Sequence, residues 1–337
     1  SVEITPEEQV AFAVEKGDML FQRSSETLED VGRANVYMDD RPAVFGGFVI
    51  RGKKKAEYNP MFFRYLLASP YARKKVIPMG AGAQHFNIGQ DGLSKVKLHF
   101  PILQEQQKIA DLLRLINERI STQNKIIEDL KKLKSAISKH LFARKDLLET
   151  TICLSNIATL KNGYAFQSSK YNALGKWKIL TITNVSGERY INDEDCNCII
   201  NLPNDIQDHQ VLKEGDILIS LTGNVGRVSL CKNGDYLLNQ RVGLLQLAKN
   251  VNQEFLYQIL SSQKFENSMI ACGQGAAQMN IGKGDVESYV LPYSSNGNNI
   301  LWVAKILHSY DECIINEMRR LTLLTMQKQY LLTQMFI

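Results

Sequence analysis

Apolar residues recur at spacings of three and four along two long stretches of the chain, residues 105–143 and 299–336. This spacing predicts amphipathic helices whose apolar stripe forms the seam of a coiled coil. A single helix of this length would leave its stripe in water, so we predict that the two helices pair with each other in antiparallel sense. The seam residues are Ile109, Leu113, Ile116, Ile120, Ile127, Leu130, Ile137 and Leu141 in the first stretch, and Val303, Leu307, Tyr310, Ile314, Leu321, Leu324, Leu331 and Met335 in the second.

The two seams are copies of each other. Adding 194 to each seam number of the first stretch gives the corresponding number in the second. Polar seam positions coincide as well, because Gln123 corresponds to Glu317 and Lys134 to Lys328. Chance does not align both the apolar and the polar members of a seam, so the helices belong to a duplicated unit.

The segments that precede the long helices also match. Three short motifs occur in both copies: Glu15–Leu20 and Lys213–Leu218, Val31–Arg33 and Val225–Arg227, and Gln84–Ile88 and Gln278–Ile281. A period this long exceeds the roughly 20–50 residues of solenoid repeats. It indicates two copies of one module, a globular domain followed by a long helix.

Within each copy, short apolar runs alternate with turn residues such as glycine and asparagine, which is typical of strands. In the second copy we predict strands near 179–184, 198–200, 217–222, 227–231 and 242–247. One helix is predicted per copy, from Met61 to Lys75 and from about Asn252 to Ile270. Asn59 and Asn252 are the expected helix caps.

These patterns predict an α+β protein in which two similar α/β domains are separated by two long helices, which form an antiparallel coiled coil with pseudo-twofold symmetry. The predicted parts are 1–104 for the first domain, 105–147 for a central spacer helix, 148–297 for the second domain and 298–337 for a C-terminal spacer helix. Residues 151–194 have no counterpart in the first copy, so we expect the first domain to lack its N-terminal part.

Composition fits a globular protein of two or three domains, with 337 residues, 44% hydrophobic residues and 22% charged residues. The formal net charge of +5 suits an acidic partner without requiring one. The six cysteines are scattered beyond residue 150, and only Cys196 and Cys198 are close. We see no signal peptide and no apolar stretch of ~18 residues. We therefore expect a cytoplasmic protein with reduced thiols and no membrane partner.

Candidate catalytic motifs are weak. Asn59-Pro60-Met61-Phe62 is a faint match to the base-gripping motif of amino-methyltransferases, but a helix start explains it better. The segment 223–227 fits a phosphate-binding loop less well than a tight turn between strands, because no Walker lysine or Rossmann spacing surrounds it. The five histidines show no metal-binding spacing. We predict no catalytic residue and no metal site.

Basic and polar side chains cluster in the loops of both copies, and two aromatic residues occur among them. Lysine and arginine neutralise DNA phosphates, while amides, hydroxyls and arginine read base edges. A single surface lysine is usually only solvated, so the recurrence in matching loops carries the argument. The predicted DNA-binding residues are Arg23, Ser24, Ser25, Arg33, Lys53, Lys54, Lys55, Lys161, Asn162, Tyr164, Phe166, Lys170, Asn224, Arg227, Asn239, Gln240 and Arg241.

Several segments resemble those of a known family: Gly163–Phe166 with Ser168–Tyr171, Lys178–Val185, Gly215–Gly226 and Pro101–Ala110. The family is the specificity (S) subunit of type I restriction–modification enzymes. The segments are similar to the opening of its target-recognition domain, the strand that follows, its most recognisable central stretch and the start of its spacer helix. The resemblance covers nearly the whole chain.

The resemblance implies that 1–104 and 151–297 are target-recognition domains, each reading half of a bipartite sequence in double-stranded DNA. The paired helices, built on the seam residues above, would set the gap between half-sites and dock two methyltransferase (M) subunits. Motor-nuclease (R) subunits would join that core. The chain itself would be non-catalytic and hold no cofactor, because S-adenosylmethionine and ATP would bind to the partner subunits.

The chain departs from the family pattern in two places. The first domain lacks a counterpart of Gly163–Phe166, and Ser294–Asn299 replaces the Gln-Glu-Gln-Gln start of the second spacer helix. Contacts made there in the family are expected to differ. Two other functions stay open from sequence, a coiled-coil scaffold with protein-binding heads and an enzyme with a novel site.

Overall fold

The chain folds into two compact units, each built from one domain and from segments of both long helices. A computed structural model describes residues 4–82, 84–273 and 279–336. The first unit comprises Ser1–Ile126 and Glu317–Ile337, and the second comprises Ile127–Asn316. The units therefore divide the long helices, whereas the boundaries predicted from sequence separate helix from domain. Gln278 of the third repeated motif lies outside the described residues.

In the first unit, small β-pairs surround a three-stranded sheet. The elements are α1 (Pro6–Ala11), β1 (Ala13–Val14), β2 (Met19–Gln22), β3 (Ser24–Ser25), β4 (Ala34–Val36), β5 (Ala43–Val44), β6 (Val49–Gly52), α2 (Pro60–Ala68), α3 (Pro70–Val76), β7 (Phe86–Asn87), α4 (Gln90–Ser94) and α5 (Leu103–Ala143), the last of which continues into the second unit. Strand β2 lies between β4 and β6 and is antiparallel to both, while β1 pairs with β5 and β3 with β7.

The remaining elements belong to the second unit, except that the last helix continues into the first unit from Glu317. They are β8 (Thr150–Cys153), β9 (Ala158–Asn162), β10 (Trp177–Leu180), β11 (Asn197–Ile199), β12 (Ile217–Ser220), β13 (Val228–Leu230), β14 (Tyr236–Leu238), β15 (Val242–Leu247), α6 (Gln253–Leu260), α7 (Gln263–Cys272), α8 (Lys283–Glu287), β16 (Val290–Tyr293) and α9 (Gly297–Gln334). One antiparallel sheet has the order β13-β12-β15-β9. A second sheet has β10 between antiparallel β11 and parallel β14, and β8 pairs with β16.

The strands predicted in the second copy are present but shorter at several ends. Residues 181–184 form a turn instead of continuing β10, because the side chain of Asn184 accepts a hydrogen bond from the backbone N–H of Thr181 at 2.7 Å. Strands β9 and β14 were not predicted. Both are paired with strands distant in sequence, β15 and β10, so their pairing depends on tertiary contacts.

The repeated Gly-Asp motif is a turn that starts the central strand of each unit. The carboxylate of Asp18 accepts a hydrogen bond from the backbone N–H of Glu15, and that of Asp216 accepts one from Lys213, at 2.8 Å in both cases. The glycine before each aspartate has a positive φ, +93° and +87°. Only glycine adopts this backbone region at no steric cost, which explains why the motif occurs in both copies.

The repeated Val-Gly-Arg motif marks a close packing contact. Gly32 and Gly226 have φ values of +67° and +79°. A Cβ atom at Gly32 would lie 2.7 Å from Val76, and one at Gly226 would lie 2.6 Å from Met269. In each unit the glycine thus allows the loop before β4 or β13 to lie directly against the helix α3 or α7.

The prediction of a single helix between about 61 and 75 and between about 252 and 270 is wrong, because each of these segments forms two consecutive helices, α2 and α3 in the first unit and α6 and α7 in the second. Ser69 ends α2 and caps α3, accepting a hydrogen bond from the backbone N–H of Ala72 at 3.3 Å. Ser262 caps α7 in the same way, through Phe265 at 3.4 Å. A serine cap has extended backbone and therefore interrupts the helix. The caps predicted at the first helix of each pair, Asn59 and Asn252, are confirmed.

The long helices pair in antiparallel sense within each unit, as predicted. In the first unit Gln123 of α5 binds Glu317 of α9, while earlier residues of α5 such as Leu113 share a cluster with Phe336, beyond the end of α9. In the second unit Lys134 lies 2.5 Å from Asp311, and Leu141 packs in the core that contains Val303 and Leu307. All sixteen predicted seam residues are buried or half-buried.

Candidate nucleic-acid interface

Three strands of the second unit meet at one end of its main sheet. β9 ends at Asn162, which is paired with Gly243 of β15. Immediately before β15, the backbone N–H of Gln240 donates to the carbonyl oxygen of Tyr164 at 3.0 Å. The carbonyl oxygen of Arg241 accepts from the residue that follows β12, also at 3.0 Å. These ladder contacts bring the polar residues around Asn162, Gln240 and Arg241 to a single edge.

A groove of about 600 Å³ lies at this edge. Arg241 and Lys283 are both exposed, so two cations border it. Asparagine and glutamine amides donate and accept hydrogen bonds to base edges, and the cations suit guanine or phosphate. The polar side chains that line it are Asn162, Thr222, Gln240, Arg241, Asn280 and Lys283.

Three of the six polar lining residues were not predicted from sequence. Thr222 follows β12, Asn280 belongs to the repeated Asn-Ile motif, and Lys283 starts α8. The Thr222 hydroxyl donates to Oδ1 of Asn280 at 3.3 Å. The repeated Asn-Ile motif was the available signal for Asn280, whereas nothing local in the sequence indicates that Lys283 lies beside Arg241.

Asn239 supports the backbone at the groove and does not line it. It is buried, and its side-chain oxygen accepts a hydrogen bond from the backbone N–H of Arg241 at 3.2 Å. This bond holds the turn that carries Gln240 and Arg241. The structure therefore places Asn239 behind the surface, in contrast to the predicted role at the DNA, because a buried amide cannot reach a base edge.

The two predicted aromatic residues are tied into the fold. The ring centroids of Tyr164 and Phe166 are 4.9 Å apart. The hydroxyl of Tyr164 donates to Asp205 at 2.8 Å, and this bond raises the pKa of Tyr164. Phe166 packs against a buried cluster that includes Ile179 and Leu237. Each ring keeps part of its surface exposed. The pair therefore lies beside the sheet edge and is held there by the contacts just described.

The predicted lysines of the second unit lie away from the groove. Lys161 precedes Asn162 in β9, and successive strand residues point to opposite faces. Its side chain lines a separate hollow together with Asp208 and Asp216. Lys170 is exposed in a 3-10 turn, Ser168–Lys170. Because these side chains do not converge with Arg241, the structure does not bring them into one site.

Arg227 and Asn224 lie on the turn that connects β12 and β13, as the tight-turn interpretation predicted. Asn224 is exposed. The Arg227 guanidinium lies 3.4 Å from the carboxylate of Glu266 and 3.4 Å from the carbonyl oxygen of Ser186. Arg227 lines a small hollow of its own, where its charge is partly neutralised. Arg227 and Arg241 therefore do not belong to the same site.

In the first unit, Ser24 and Ser25 form β3 and pair with β7. The hydroxyl of Ser24 donates to Oδ1 of Asn87 at 2.5 Å. Arg23 and Arg33 are exposed nearby in the chain, although Arg33 is paired with Asp30 at 2.7 Å. This edge of the first unit therefore carries hydroxyl, amide and guanidinium groups.

The lysine run of the first unit does not join that edge. Lys53, Lys54 and Lys55 follow β6, whose last residue pairs with Met19 at the start of β2, whereas Arg23 follows the end of β2. The strand separates the two groups, and Lys53 and Lys54 contact glutamates at 3.4 and 3.2 Å. Strand register therefore places the lysine run and Arg23 at opposite ends of β2.

A buried ionic network attaches the domain of the second unit to the helix segments. Asp311 of α9 accepts hydrogen bonds from Lys134 of α5 at 2.5 Å, from Arg189 at 2.9 Å and from Gln258 of α6 at 2.6 Å. Arg189 also makes a salt bridge with Glu254 at 2.6 Å. Burial would raise the pKa of Glu254, but the hydrogen bonds from Arg189 and Gln258 hold it below its ordinary value.

In residues 4–82, 84–273 and 279–336, no group of three or more His, Cys, Asp or Glu side chains is arranged to hold a metal ion. None of the helices described for this chain combines the length and the apolar content that crossing a bilayer requires.

Comparison with known proteins identifies the family. The profile of the family described as type I restriction modification DNA specificity domain matches residues 2–132 and 149–326. The chain belongs to this family. The two matched segments are the two copies of the module, each with its part of a long helix. The resemblance inferred from the sequence motifs is thereby confirmed.

Two curated relatives come from Methanocaldococcus jannaschii. The type I restriction enzyme MjaVIII specificity subunit is 28% identical over 214 residues, which cover 56% of this chain and 49% of that protein. The putative type I restriction enzyme MjaX specificity subunit is 24% identical over 297 residues, which cover 82% of this chain and 67% of that protein. The chain thus spans about half the length of the first relative.

Solved structures share the fold. The type I restriction–modification S subunit from M. genitalium has a TM-score of 0.57 at 18% identity, covering 97% of this chain and 84% of its own. A chain from a study of complex assembly and conformational transition of the type I R-M system has a TM-score of 0.61 at 15% identity, covering 95% and 81%. At these identities the likeness concerns the fold alone.

Proposed function

We propose that the chain is the non-catalytic DNA-recognition subunit of a type I restriction–modification complex and that it reads a bipartite sequence in double-stranded DNA. The observation that carries this proposal is the groove of the second unit, where six polar side chains from three strands and a helix start converge. The residues that line the groove include two cations and three amides and no carboxylate, although Lys283 is also paired with Glu287 at 3.7 Å, and such a surface suits an anionic partner with hydrogen-bonding edges.

Each group in the groove has a distinct task. In this proposal Arg241 would donate two hydrogen bonds to guanine, and Gln240, Asn162 and Asn280 would pair with adenine edges. Lys283 suits a phosphate, which adds affinity without sequence preference. Arg227 has an acidic neighbour at 3.4 Å and contributes less than Arg241. The domain of the first unit would read the other half-site with the equivalent edge.

The helices would dock two methyltransferase subunits through exposed residues, since buried seam residues such as Leu113 and Val303 have no surface left for a partner. In the first unit an apolar groove of about 880 Å³ runs between α5 and α9. Leu115 and Leu323 on its rim are 50% and 65% exposed. Motor-nuclease subunits would join this core, and the partner subunits would bind S-adenosylmethionine and ATP.

Co-expression with a methyltransferase subunit tests the proposal. We expect methylated adenines in a bipartite motif with a fixed gap when the modified DNA is sequenced. Purified complex should also lose affinity for the motif steeply as salt rises, because bound phosphates release counterions. A scaffold with protein-binding heads would show neither, and binding of S-adenosylmethionine by the isolated chain in calorimetry would favour an enzyme instead.

A further inference from the structure

The two units hold the same backbone arrangement around the end of their central strand. In the first unit, three backbone hydrogen bonds define it. Gln22 donates to Arg33 at 2.8 Å, Arg23 donates to Phe48 at 2.8 Å, and Ile88 donates to Arg23 at 2.9 Å. Arg23 is therefore the residue around which the neighbouring strand ends are arranged.

The second unit repeats these three bonds with other side chains. Ser220 donates to Arg227 at 2.9 Å, Leu221 donates to Arg241 at 3.0 Å, and Ile281 donates to Leu221 at 2.9 Å. Each donor and acceptor matches one in the first unit. The position of Arg241 in the second unit is consequently the position of Phe48 in the first.

A side-chain contact beside these bonds supports the same correspondence. Ser24 donates to Asn87 in the first unit, and Thr222 donates to Asn280 in the second, at 2.5 and 3.3 Å. In both units a hydroxyl and an asparagine therefore occur next to the position that Phe48 or Arg241 occupies. The edge keeps its polar pair, while the side chain at this neighbouring position is a cation in the second unit and an aromatic ring in the first.

Phe48 combines a fixed backbone with an exposed apolar side chain. Its side chain is 77% exposed, although its backbone is fixed by the bond to Arg23. It follows Gly46 and Gly47, neither of whose missing Cβ atoms would meet another atom within 4 Å. Exposed single apolar residues are common. Phe48 differs from such residues because its position is equivalent to that of Arg241, which lines the groove of the second unit.

We propose that Phe48 is a specificity-determining residue of the half-site read by the first unit, where it packs on the 5-methyl group of a thymine. Arginine at the equivalent position of the second unit selects guanine, since guanidinium pairs with its O6 and N7 acceptors, whereas an apolar ring selects the thymine methyl group. The exchange makes the two half-sites differ at one equivalent position. This inference rests on the proposed function of the chain as a DNA-recognition subunit.

The test uses the full chain assembled with methyltransferase subunits. The variants are Phe48→Ala, Phe48→Leu and Phe48→Arg, with Met38→Ala as the matched control. Met38 is an exposed apolar residue, 45% accessible, in the same unit. It follows β4, whose last residue pairs with the first residue of β2, so it lies at the other end of the sheet.

We expect Phe48→Ala to reduce binding to the wild-type site about tenfold, as a lost base contact typically does, and to relax one position of one half-site in the methylation motif. Phe48→Leu should retain most of the preference for thymine, and Phe48→Arg should shift it towards guanine. The other half-site and the gap should stay unchanged. Replacing that thymine by uracil, which lacks the methyl group, should weaken the wild type but not Phe48→Ala.

An unchanged motif and unchanged affinity for Phe48→Ala, together with an uracil effect equal in both proteins, would overturn the inference while the wild type still methylates its bipartite site. Absence of any bipartite methylation by the wild type would instead contradict the proposed function. Thermal unfolding of each variant is the check for misfolding. Because the ring of Phe48 is so exposed, truncating it should leave the melting temperature unchanged. A motif changed equally by Met38→Ala would also count against the assignment.

Discussion

The amide of Gln123 donates hydrogen bonds to the carboxylate of Glu317 at 2.5 Å and to its backbone oxygen at 3.1 Å. The two residues occupy the same position of the duplicated seam, and they are polar members of a largely apolar stripe. A polar contact in a seam sets the register of the helices, because other registers leave the polar groups unpaired. Arg320 also holds Glu317, at 2.7 Å.

Replacing Gln123 by alanine should lower the free energy of unfolding by about 1–2 kcal/mol, because the seam loses a hydrogen bond to a charged group. Urea unfolding of the purified chain measures this change in the free energy of unfolding. Asn124, the exposed neighbour on the same helix, is the matched control, and Asn124→Ala should have a much smaller effect. Equal effects of the two substitutions would show that the seam contact does not stabilise the helix pair.

A charge placed in the seam should separate the helices. We expect Ile120→Asp to destabilise the chain by roughly 2–3 kcal/mol and to weaken assembly with methyltransferase subunits, since a carboxylate would replace a half-buried apolar contact. Ser121→Asp places the same charge on the exposed side of the helix and serves as the control. Normal melting and normal assembly of Ile120→Asp, measured by calorimetry and size-exclusion chromatography, would contradict the paired-helix arrangement.

Asp311 should be the most sensitive polar residue of the second unit. Its side chain and that of Arg189 are 7% and 8% exposed, so solvent cannot replace their contact. Removal of the carboxylate in Asp311→Ala leaves Lys134 without its buried partner and Arg189 with Glu254 alone, and breaking a buried ion pair typically costs about 3–5 kcal/mol. Chemical denaturation measures the loss. Glu214→Ala, at an exposed acid of the same unit, should change stability by less than about 0.5 kcal/mol.

Glu149 should make the second unit sensitive to acid. Hydrogen bonds from the Ser294 hydroxyl, the backbone at Glu149, and the N–H and hydroxyl of Ser295 lower the pKa of Glu149 from 4.5 to about 2. A folded-state pKa below the unfolded one stabilises the protein above the unfolded value, and the gain disappears as pH falls towards the folded value. The difference in melting temperature between wild type and Glu149→Gln should be largest above about pH 5 and vanish near pH 2.

A difference between the variants that stays constant over this range would contradict the low pKa of Glu149. The result also concerns Ser294 and Ser295, which replace the start of the spacer helix usual in the family. In this chain their hydroxyls hold Glu149 at 2.7 and 2.9 Å, just before the long helix α9 begins.

Two arginines of the second unit should respond differently to truncation. Arg241→Ala should weaken binding to the matched site about tenfold and relax the half-site read by the second unit, because the side chain lines the groove. Arg227→Ala should weaken binding less, since Glu266 already compensates its charge. Binding titrations and methylation sequencing at two salt concentrations compare them. A larger loss for Arg227→Ala would place the DNA on the opposite side of the β12–β13 turn.

The amino-acid sequence by itself determined the two long helices, their seam, the duplication and the helix caps at Asn59 and Asn252. These features depend on periodicity and on contacts between residues three or four apart, and local spacing encodes both. It also determined the family, through motifs such as Gly215–Gly226. The turn at Asp216 and the tight turn before β13 required only neighbouring residues.

Only the tertiary structure decided which polar residues share a surface. Asn162, Arg241 and Lys283 are distant in sequence and meet because strands β9 and β15 pair and α8 starts beside them. The same strand register separates the lysines that follow β6 from Arg23, and folding brings Arg189, Lys134 and Asp311 into one buried network. Such contacts join residues far apart along the chain, so no local pattern records them. The equivalence of Phe48 and Arg241 likewise became visible only through backbone hydrogen bonds.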